Sequence, residues 1–249
     1  MDIIQTLAQQ LNLTAEQVGK TVQLIDEGNT IPFIARYRKE VTGSLDDSVL
    51  RTLDEKLTAL RNLAQRKQEV QDLIGAQGKL TEEVRAAIER AATVTEVDDI
   101  YRPFRPKRKT RASVARERGL EDLAILLFAQ EKSYTPSIEE QAARFVDPER
   151  EVPDVAAALQ GAMDIVAEEV SDNADYRREL RRLTFDAGSL TSKAAKEEDS
   201  VYAMYYDFSE PLRKLPGHRI LAIHRGEKEE FLKVALTVPE DVVLGYLYN

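Results

Sequence analysis

Leu50, Leu53, Leu57, Leu60 and Ala64 follow one another at alternating steps of three and four residues. Such steps return to one side of an α-helix, so these residues form the seam of a helix packed lengthwise on others. Ser44 opens the helix, and Asp46 and Asp47 lie in its first turn, where the macrodipole favours acids. The pattern runs to Ile74 before Gly75 and Gly78 break it. About 30 residues at about 1.5 Å each span about 45 Å. In a chain of 249 residues, a helix that long has to be a spine along which other elements are laid.

Glycine and proline number 11 and 9, about 8% of the chain against a usual figure of about 12%. Turns are therefore few, and the chain is expected to be mostly helical. Residues 2–11 and 14–27 read as helices, the second capped by a Thr14/Gln17 box and stopped by Gly28. Ile31 and Pro32 start a helix whose apolar face is Phe33, Ile34 and Tyr37, ending at Gly43. Thr81 caps a helix through Val84, Ile88 and Ala91, and Thr95 with Asp98 boxes a short one ending at Tyr101. Residues 111–118 and 120–130 are helical on either side of Gly119, the pattern of a helical hairpin or helix-turn-helix.

Helices follow at 138–145, at 155–170 and from Ser171 to Gly188; the 155–170 segment is apolar on most sides and is expected to be central. Residues 191–199 read as an exposed helix or a linker. The period then changes. Residues 219–224 and 231–238 are rich in β-formers around Arg225-Gly226-Glu227-Lys228, which predicts a hairpin. The expected fold class is mainly α, a multi-helical scaffold around a long central helix with a C-terminal β-hairpin. Residues 1–188 are expected to form a helical domain, with the 111–130 hairpin in it. Residues 189–249 would be a helix plus β-hairpin that begins a further module, cut short after Val242, Val243 and Leu247.

The chain has no cysteine, which removes disulfides, thiolate metal sites, iron–sulfur clusters and cysteine nucleophiles. His218 and His224 are its two imidazoles; on a strand they would stand about 20 Å apart at about 3.3 Å per residue, too far to share a metal. Adjacent acids at Asp46/Asp47, Glu82/Glu83, Asp98/Asp99, Glu139/Glu140, Glu168/Glu169 and Glu229/Glu230 read as helix capping and solubility. There is no P-loop, G-x-G-x-x-G or G-x-S-x-G. No enzyme activity, catalytic residue, cofactor or metal is expected. The longest uncharged apolar run, 123–130, is far short of the about 20 residues a bilayer span needs. The first basic residue is Lys20, so no secretory signal is expected. The expected setting is the cytoplasm, with no membrane partner.

Net charge is −9, which disfavours a nucleic-acid binder until its distribution is considered. Residues 101–118, YRPFRPKRKTRASVARER, carry eight Lys/Arg and one Glu, a local +7 that leaves −16 for the rest. Charge so concentrated creates a local field, and Lys and Arg bind phosphates by releasing counterions. The candidate nucleic-acid contacts are Arg102, Arg105, Lys107, Arg108, Lys109, Arg111 and Arg116. Tyr101 and Phe104 interleave with the first two as a single-strand stacking platform would. Two other uses of this charge stay open: ion pairing to the helices of a chain with 44 acids, and contact with further domains.

In the 111–130 hairpin, Glu121 and Asp122 open the second helix over an apolar body, unlike a recognition helix, so core packing is favoured there. Arg177, Arg178, Arg181 and Arg182 share a helix flank within reach of Asp172, Asp175 and Glu179 and read as a salt-bridged face. Arg36, Arg38 and Lys39 read as structural. Tyr202, Tyr205 and Tyr206 either close the end of a helical core or offer a stacking surface.

Three stretches resemble a single family. NTIPFIARYRKEVTGSLDD at 29–47, DDIYRPFRPKRKTRASVARERGLEDLA at 98–124 and LPGHRILAIHRGEKEEFLKV at 215–234 look like signature segments of Tex, the bacterial transcription accessory proteins. The resemblance covers nearly all of the chain. It implies a longer parent, similar to a eukaryotic transcription elongation factor, that continues into an RNase H-like module of YqgF type, helix-hairpin-helix elements and a nucleic-acid-binding OB-fold. On that footing this chain is expected to be the N-terminal scaffold of a transcription accessory protein. It would bind RNA or DNA without sequence preference or catalysis, the 102–118 loop contacting phosphates. The alternative is a protein-interaction scaffold docking RNA polymerase or ribosome-associated partners, with nucleic-acid binding confined to C-terminal domains.

Overall fold

The long seam is a single helix, and its neighbours divide it into two halves. The structure, a computed structural model, describes residues 2–106, 108–131, 136–196 and 198–248. Residues 1–105 hold α1 (Ile3–Leu11), α2 (Ala15–Asp26), α3 (Ile31–Tyr37), α4 (Lys39–Thr42), α5 (Asp47–Gly75), α6 (Glu82–Arg90) and α7 (Val94–Tyr101). Asp46, and not Ser44, caps α5: its carboxylate accepts the Val49 N–H at 2.9 Å, while Ser44 sits in a left-handed turn at φ 63°.

Leu53 and Leu57 bury against Leu7, Val18 and Val22 of α1 and α2, and Leu50 against Ile34 of α3. Further along, Leu63, Val70 and Ile74 bury against Ile88, Val97 and Tyr101 of α6 and α7. The buried stripe thus leaves the expected Ala64 for Leu63. A straight helix drifts by about 20° per heptad against a strict seven-residue repeat, so the stripe rotates as the partners change. Arg61 ties α2 to α5 by donating to both carboxylate oxygens of Asp26 at 2.7 and 2.8 Å. Thr93, two residues before the expected Thr95, caps α7.

Residues 106–249 form a second unit. It holds α8 (Arg111–Glu117), α9 (Glu121–Phe128), α10 (Ile138–Ala142), α11 (Val155–Asp172), α12 (Ala174–Ala187), β1 (Ser189–Ala194), β2 (Asp207–Pro211), α13 (Gly217–Lys228), β3 (Leu232–Thr237) and α14 (Glu240–Leu247). Gly119, at φ 83°, makes the turn between α8 and α9. Both helices pack on α11 through Ala112, Ala115, Leu120, Leu123 and Ala124, which meet Ala158, Ala162 and Ile165. Helix α11 extends through Asp172, and Asn173, not Ser171, caps α12.

The fold class is mainly α, as expected, but the β element differs from a hairpin. The three strands form an antiparallel sheet in the order β2-β1-β3, with Ser189 opposite both Pro211 and Thr237. Residues 189–194, expected in part to be helix or linker, are its central strand. Residues 219–224, expected as a strand, lie in α13. A short apolar run cannot distinguish strand from helix by period, and here packing decides. Ile223 and Leu232 bury together with Tyr202 and Tyr205. Gly226, read as a turn residue, lets α13 press onto the sheet: a Cβ there would lie 2.7 Å from Leu232 Cδ1. The tyrosines therefore close a core built on the sheet.

Two tests follow from this packing. A Cβ on Gly161 of α11 would lie 2.4 Å from Cδ1 of the buried Leu120 and 3.3 Å from Ala115 Cβ. Gly161→Ala should lower stability by about 1–3 kcal/mol through overpacking, read as a lower urea midpoint at unchanged m-value. Hydrogen bonds from Arg61 hold Asp26 below the ordinary carboxylate range, and the Val49 N–H does the same for Asp46. A lowered folded pKa gives stability that is present above the unfolded value and lost as pH falls through the folded one. Urea unfolding followed from neutral pH into acid should show that loss, with a shallower acid slope in Asp26→Asn.

Candidate nucleic-acid interface

The basic segment is divided between the two units, 102–105 in the first and 106–118 in the second. In residues 1–105, Arg102 begins a 3-10 turn over 102–104 directly after α7. It is half-buried and engaged in the protein's own contacts. The Phe104 carbonyl accepts from Gln77 at 3.0 Å, which fixes that turn to the end of α5. Arg105 lies 3.3 Å from Asp98 Oδ1 and its guanidinium is 5.4 Å from the Tyr101 ring centroid. Arg66 covers the same ring at 5.7 Å and donates to Asp98 at 2.6 and 2.8 Å.

Tyr101 is only 7% exposed, and Phe104 packs against the same core. The expected stacking platform at 101–105 is therefore absent: its rings are used to close the end of the α5–α7 core. Lys107 lies outside the described residues.

In residues 106–249, Arg108, Lys109, Arg111 and Arg116 have different surroundings. Arg108 is exposed and has no carboxylate partner among the described residues. Lys109 stands 3.7 Å from Glu117, and Arg111, 85% exposed, stands 3.5 Å from Asp164. Lys109 and Glu117 are both largely exposed, a pair worth about 0–1 kcal/mol, so Lys109 can turn to another anion at little cost. Arg111 is itself exposed, but the Asp164 side chain opposite it is only 15% exposed.

Arg116 cannot. One residue from the end of α8, it donates to Glu168 and Glu169 of α11 at 2.6 Å each and has Glu121 of α9 at 3.6 Å. Its side chain is 27% exposed, and the Glu168 hydrogen bond raises its pKa further. Thr110, the cap of α8, also donates to Glu168 at 3.0 Å. The Glu168/Glu169 pair, read from sequence as a solubility feature, is the receptor for Arg116. The only sequence signal was an acid pair on a helix with apolar sides, with nothing to link it to a residue about 50 positions earlier.

Between α8 and α11 lies a groove of about 420 Å³ into which Lys109, Arg111 and Arg118 face, with Gln160, Gly161 and Asp164 on the α11 side. Arg118 is paired with Glu151. The groove thus sets two exposed cations beside an amide, a paired arginine and the Asp164 carboxylate. On α12, Arg178 pairs with Asp175 at 2.9 Å and Arg182 with Glu179 and Asp186. His218 and His224 lie on α13 rather than a strand, about 9 Å apart along the axis. Among the described residues no group of three or more His, Asp or Glu is placed to hold a metal. No helix among them is long and apolar enough to cross a membrane.

Comparison with known sequences bears on this arrangement. The model of the Tex-like protein N-terminal domain matches residues 1–75, and that of the Tex central region matches residues 133–244. "Protein tex" of Bordetella pertussis is 43% identical over 243 residues, covering 96% of this chain and 30% of that protein. "Transcriptional accessory protein Tex" of Neisseria gonorrhoeae is 39% identical over 244 residues, 97% of this chain and 32% of that protein. The human "S1 RNA-binding domain-containing protein 1" is 29% identical over 249 residues, 97% of this chain and 25% of its own length. The chain spans about a third of the length of the bacterial relatives.

Removing Arg116 leaves Glu168, whose side chain is 15% exposed, without its strongest partner. Arg116→Met should destabilise the chain by about 1–3 kcal/mol, whereas Arg108→Ala should stay within about 0.5 kcal/mol of the parent. A double-mutant cycle with Glu168→Gln, read by urea unfolding, should return a coupling energy of the same sign. Additive effects of the two substitutions would rule the clamp out.

Proposed function

The chain belongs to the Tex family, and from that premise we propose that it is the scaffold portion of a cytoplasmic transcription accessory protein that binds nucleic acid without catalysis. Arg108, Lys109 and Arg111, at the start of α8, supply the phosphate contacts in this reading. The observation that carries it is their contrast with Arg116. Four cations of one short segment divide into one held by three carboxylates and three left exposed with a loose pair or none. The names of relatives, a transcriptional accessory protein and an S1 RNA-binding domain-containing protein, point the same way. Arg102 and Arg105 contribute less, because Asp98 and Tyr101 already occupy Arg105. Sequence-independent contact with RNA or DNA is the chemistry such side chains support.

A second reading, a protein-interaction scaffold docking RNA polymerase or ribosome-associated partners, is favoured by one separate feature. Ile125 and Phe128 of α9 stand exposed beside Ile165, Val166 and Tyr176 around a groove of about 420 Å³. Capture of polymerase that survives nuclease and is lost in Ile125→Asp would support this second reading.

The test of the first is an equilibrium titration of the chain with labelled RNA and DNA between about 50 and 200 mM salt. Joint replacement of Arg108, Lys109 and Arg111 by Glu should weaken binding and reduce the slope of log K against log salt by about two to three. Arg116→Gln should change stability and leave that slope alone. An unchanged slope in the triple variant would sink the assignment. Turnover of any of these nucleic acids with a divalent metal would overturn the absence of catalysis.

A further inference from the structure

Arg36, Arg38 and Lys39 read from sequence as structural, yet they differ from most other arginines of residues 1–105. Arg51, Arg61, Arg66 and Arg105 each have a carboxylate partner. Among the described residues, none of Arg36, Arg38 and Lys39 has one. Arg36 and Lys39 are exposed, and Arg38 donates to the Tyr37 carbonyl at 3.2 Å with its guanidinium 5.2 Å from the Phe33 ring centroid. Glu40 is exposed next to them and leaves the 36–40 segment at a formal +2.

Two aromatic rings stand with these cations. Helix α3 buries Ile34 completely, which turns Phe33 and Tyr37, four residues apart, toward solvent at 37% and 55% exposure. Their centroids are 5.2 Å apart at an interplanar angle of 47°. Both line a groove of about 570 Å³ with Pro32, Arg36, Lys39 and Asp47. Asp47 is the one carboxylate in that lining, and Arg51 holds it at 2.6 Å. Rings in solvent beside unpaired cations are what a single strand requires: a π-face for the base and positive charge for the backbone.

We infer that α3 and α4 form a binding site for single-stranded nucleic acid, with a base stacked on Tyr37 and phosphates met by Arg36 and Lys39. The Arg38 guanidinium braces Phe33, which in turn supports Tyr37. A duplex offers no unstacked base to this surface, so the site prefers single strands. This site is separate from α8 and does not rest on the phosphate contacts proposed there.

The test uses the 249-residue chain with labelled single-stranded RNA, single-stranded DNA and a duplex of equal length. Tyr37→Ala should weaken single-strand binding about 5- to 150-fold with its salt slope unchanged, and leave duplex binding intact. Tyr37→Phe should retain it, since the ring remains. Joint Arg36→Glu and Lys39→Glu should reduce the single-strand salt slope by about one to two. Halogenated-uridine photocrosslinking should map to Tyr37 or Phe33. Urea unfolding checks that the variants remain folded, as expected for an exposed ring.

Single-strand affinity unchanged by Tyr37→Ala overturns the inference, even where the α8 triple variant abolishes binding and the proposed function stands. No single-strand binding at about 50 mM salt overturns it as well. Loss of a captured protein partner in Tyr37→Ala, with nucleic-acid affinity unchanged, would reassign the surface to protein docking and overturn it too.

Discussion

An apolar stripe on a 29-residue helix is about 43 Å long, more than any one short helix can cover. That mismatch organises residues 1–105. The other helices of the unit have no more than 12 residues, a length at which isolated helices are marginal in water. Most persist because they cover a part of α5, with α1, α2 and α3 on the first half and α6 and α7 on the second, while α4 packs on α2 and α3. In residues 106–249 the organising surface is of another kind. Helix α11 presents Ala158, Gly161 and Ala162, and α8 and α9 approach closely over these small residues. One unit is built on large side chains along a stripe, the other on the lack of them.

The fate of the basic segment follows from that close approach. Once α8 rests on α11, the arginine near its C-terminal end faces Glu168 and Glu169, and its first residue faces solvent. Ion pairing and availability for phosphate are thus not rival descriptions of 102–118 as a whole. They separate residue by residue, according to which side of a helix each cation occupies and whether an acid lies opposite. Arg116 serves the fold. Lys109, with an exposed partner in high dielectric, is bound to little, and Arg111 stays largely exposed beside the part-buried Asp164.

Cation–aromatic neighbours illustrate the same point. At Tyr101, Arg66 and Arg105 lie over a ring that the α5–α7 core has already buried, so the cluster closes a core. At Phe33 and Tyr37 the same residue types stand on the side of α3 opposite Ile34. The two sequences, YRPFR and FIARYRK, interleave the same residue types, though from sequence only the first reads as a platform and the cations of the second read as structural. Burial distinguishes them, and burial depends on what else packs nearby.

Much of the helical frame could be read from the chain because its signals are short-range. The Thr14/Gln17 and Thr81 caps, the Gly119 turn and the α5 stripe each involve residues within about one or two turns of one another. Their physics is complete in a local window. The identity of 219–224 was not legible, because Arg219 to His224 suits a strand or a helix equally until Leu232 and Tyr202 arrive against Ile223 and Gly226. Nor could β1 be seen, since a strand of small and polar residues takes its hydrogen bonds from partners that lie 14 to 48 positions along and leave no mark on its own composition. The charge of the basic segment was plain from residues alone, but which charges are spent inside the protein was set by acids on α11. Composition and spacing report which interactions a residue can make. Contacts distant in sequence choose among them, because only folding brings those partners within hydrogen-bonding range.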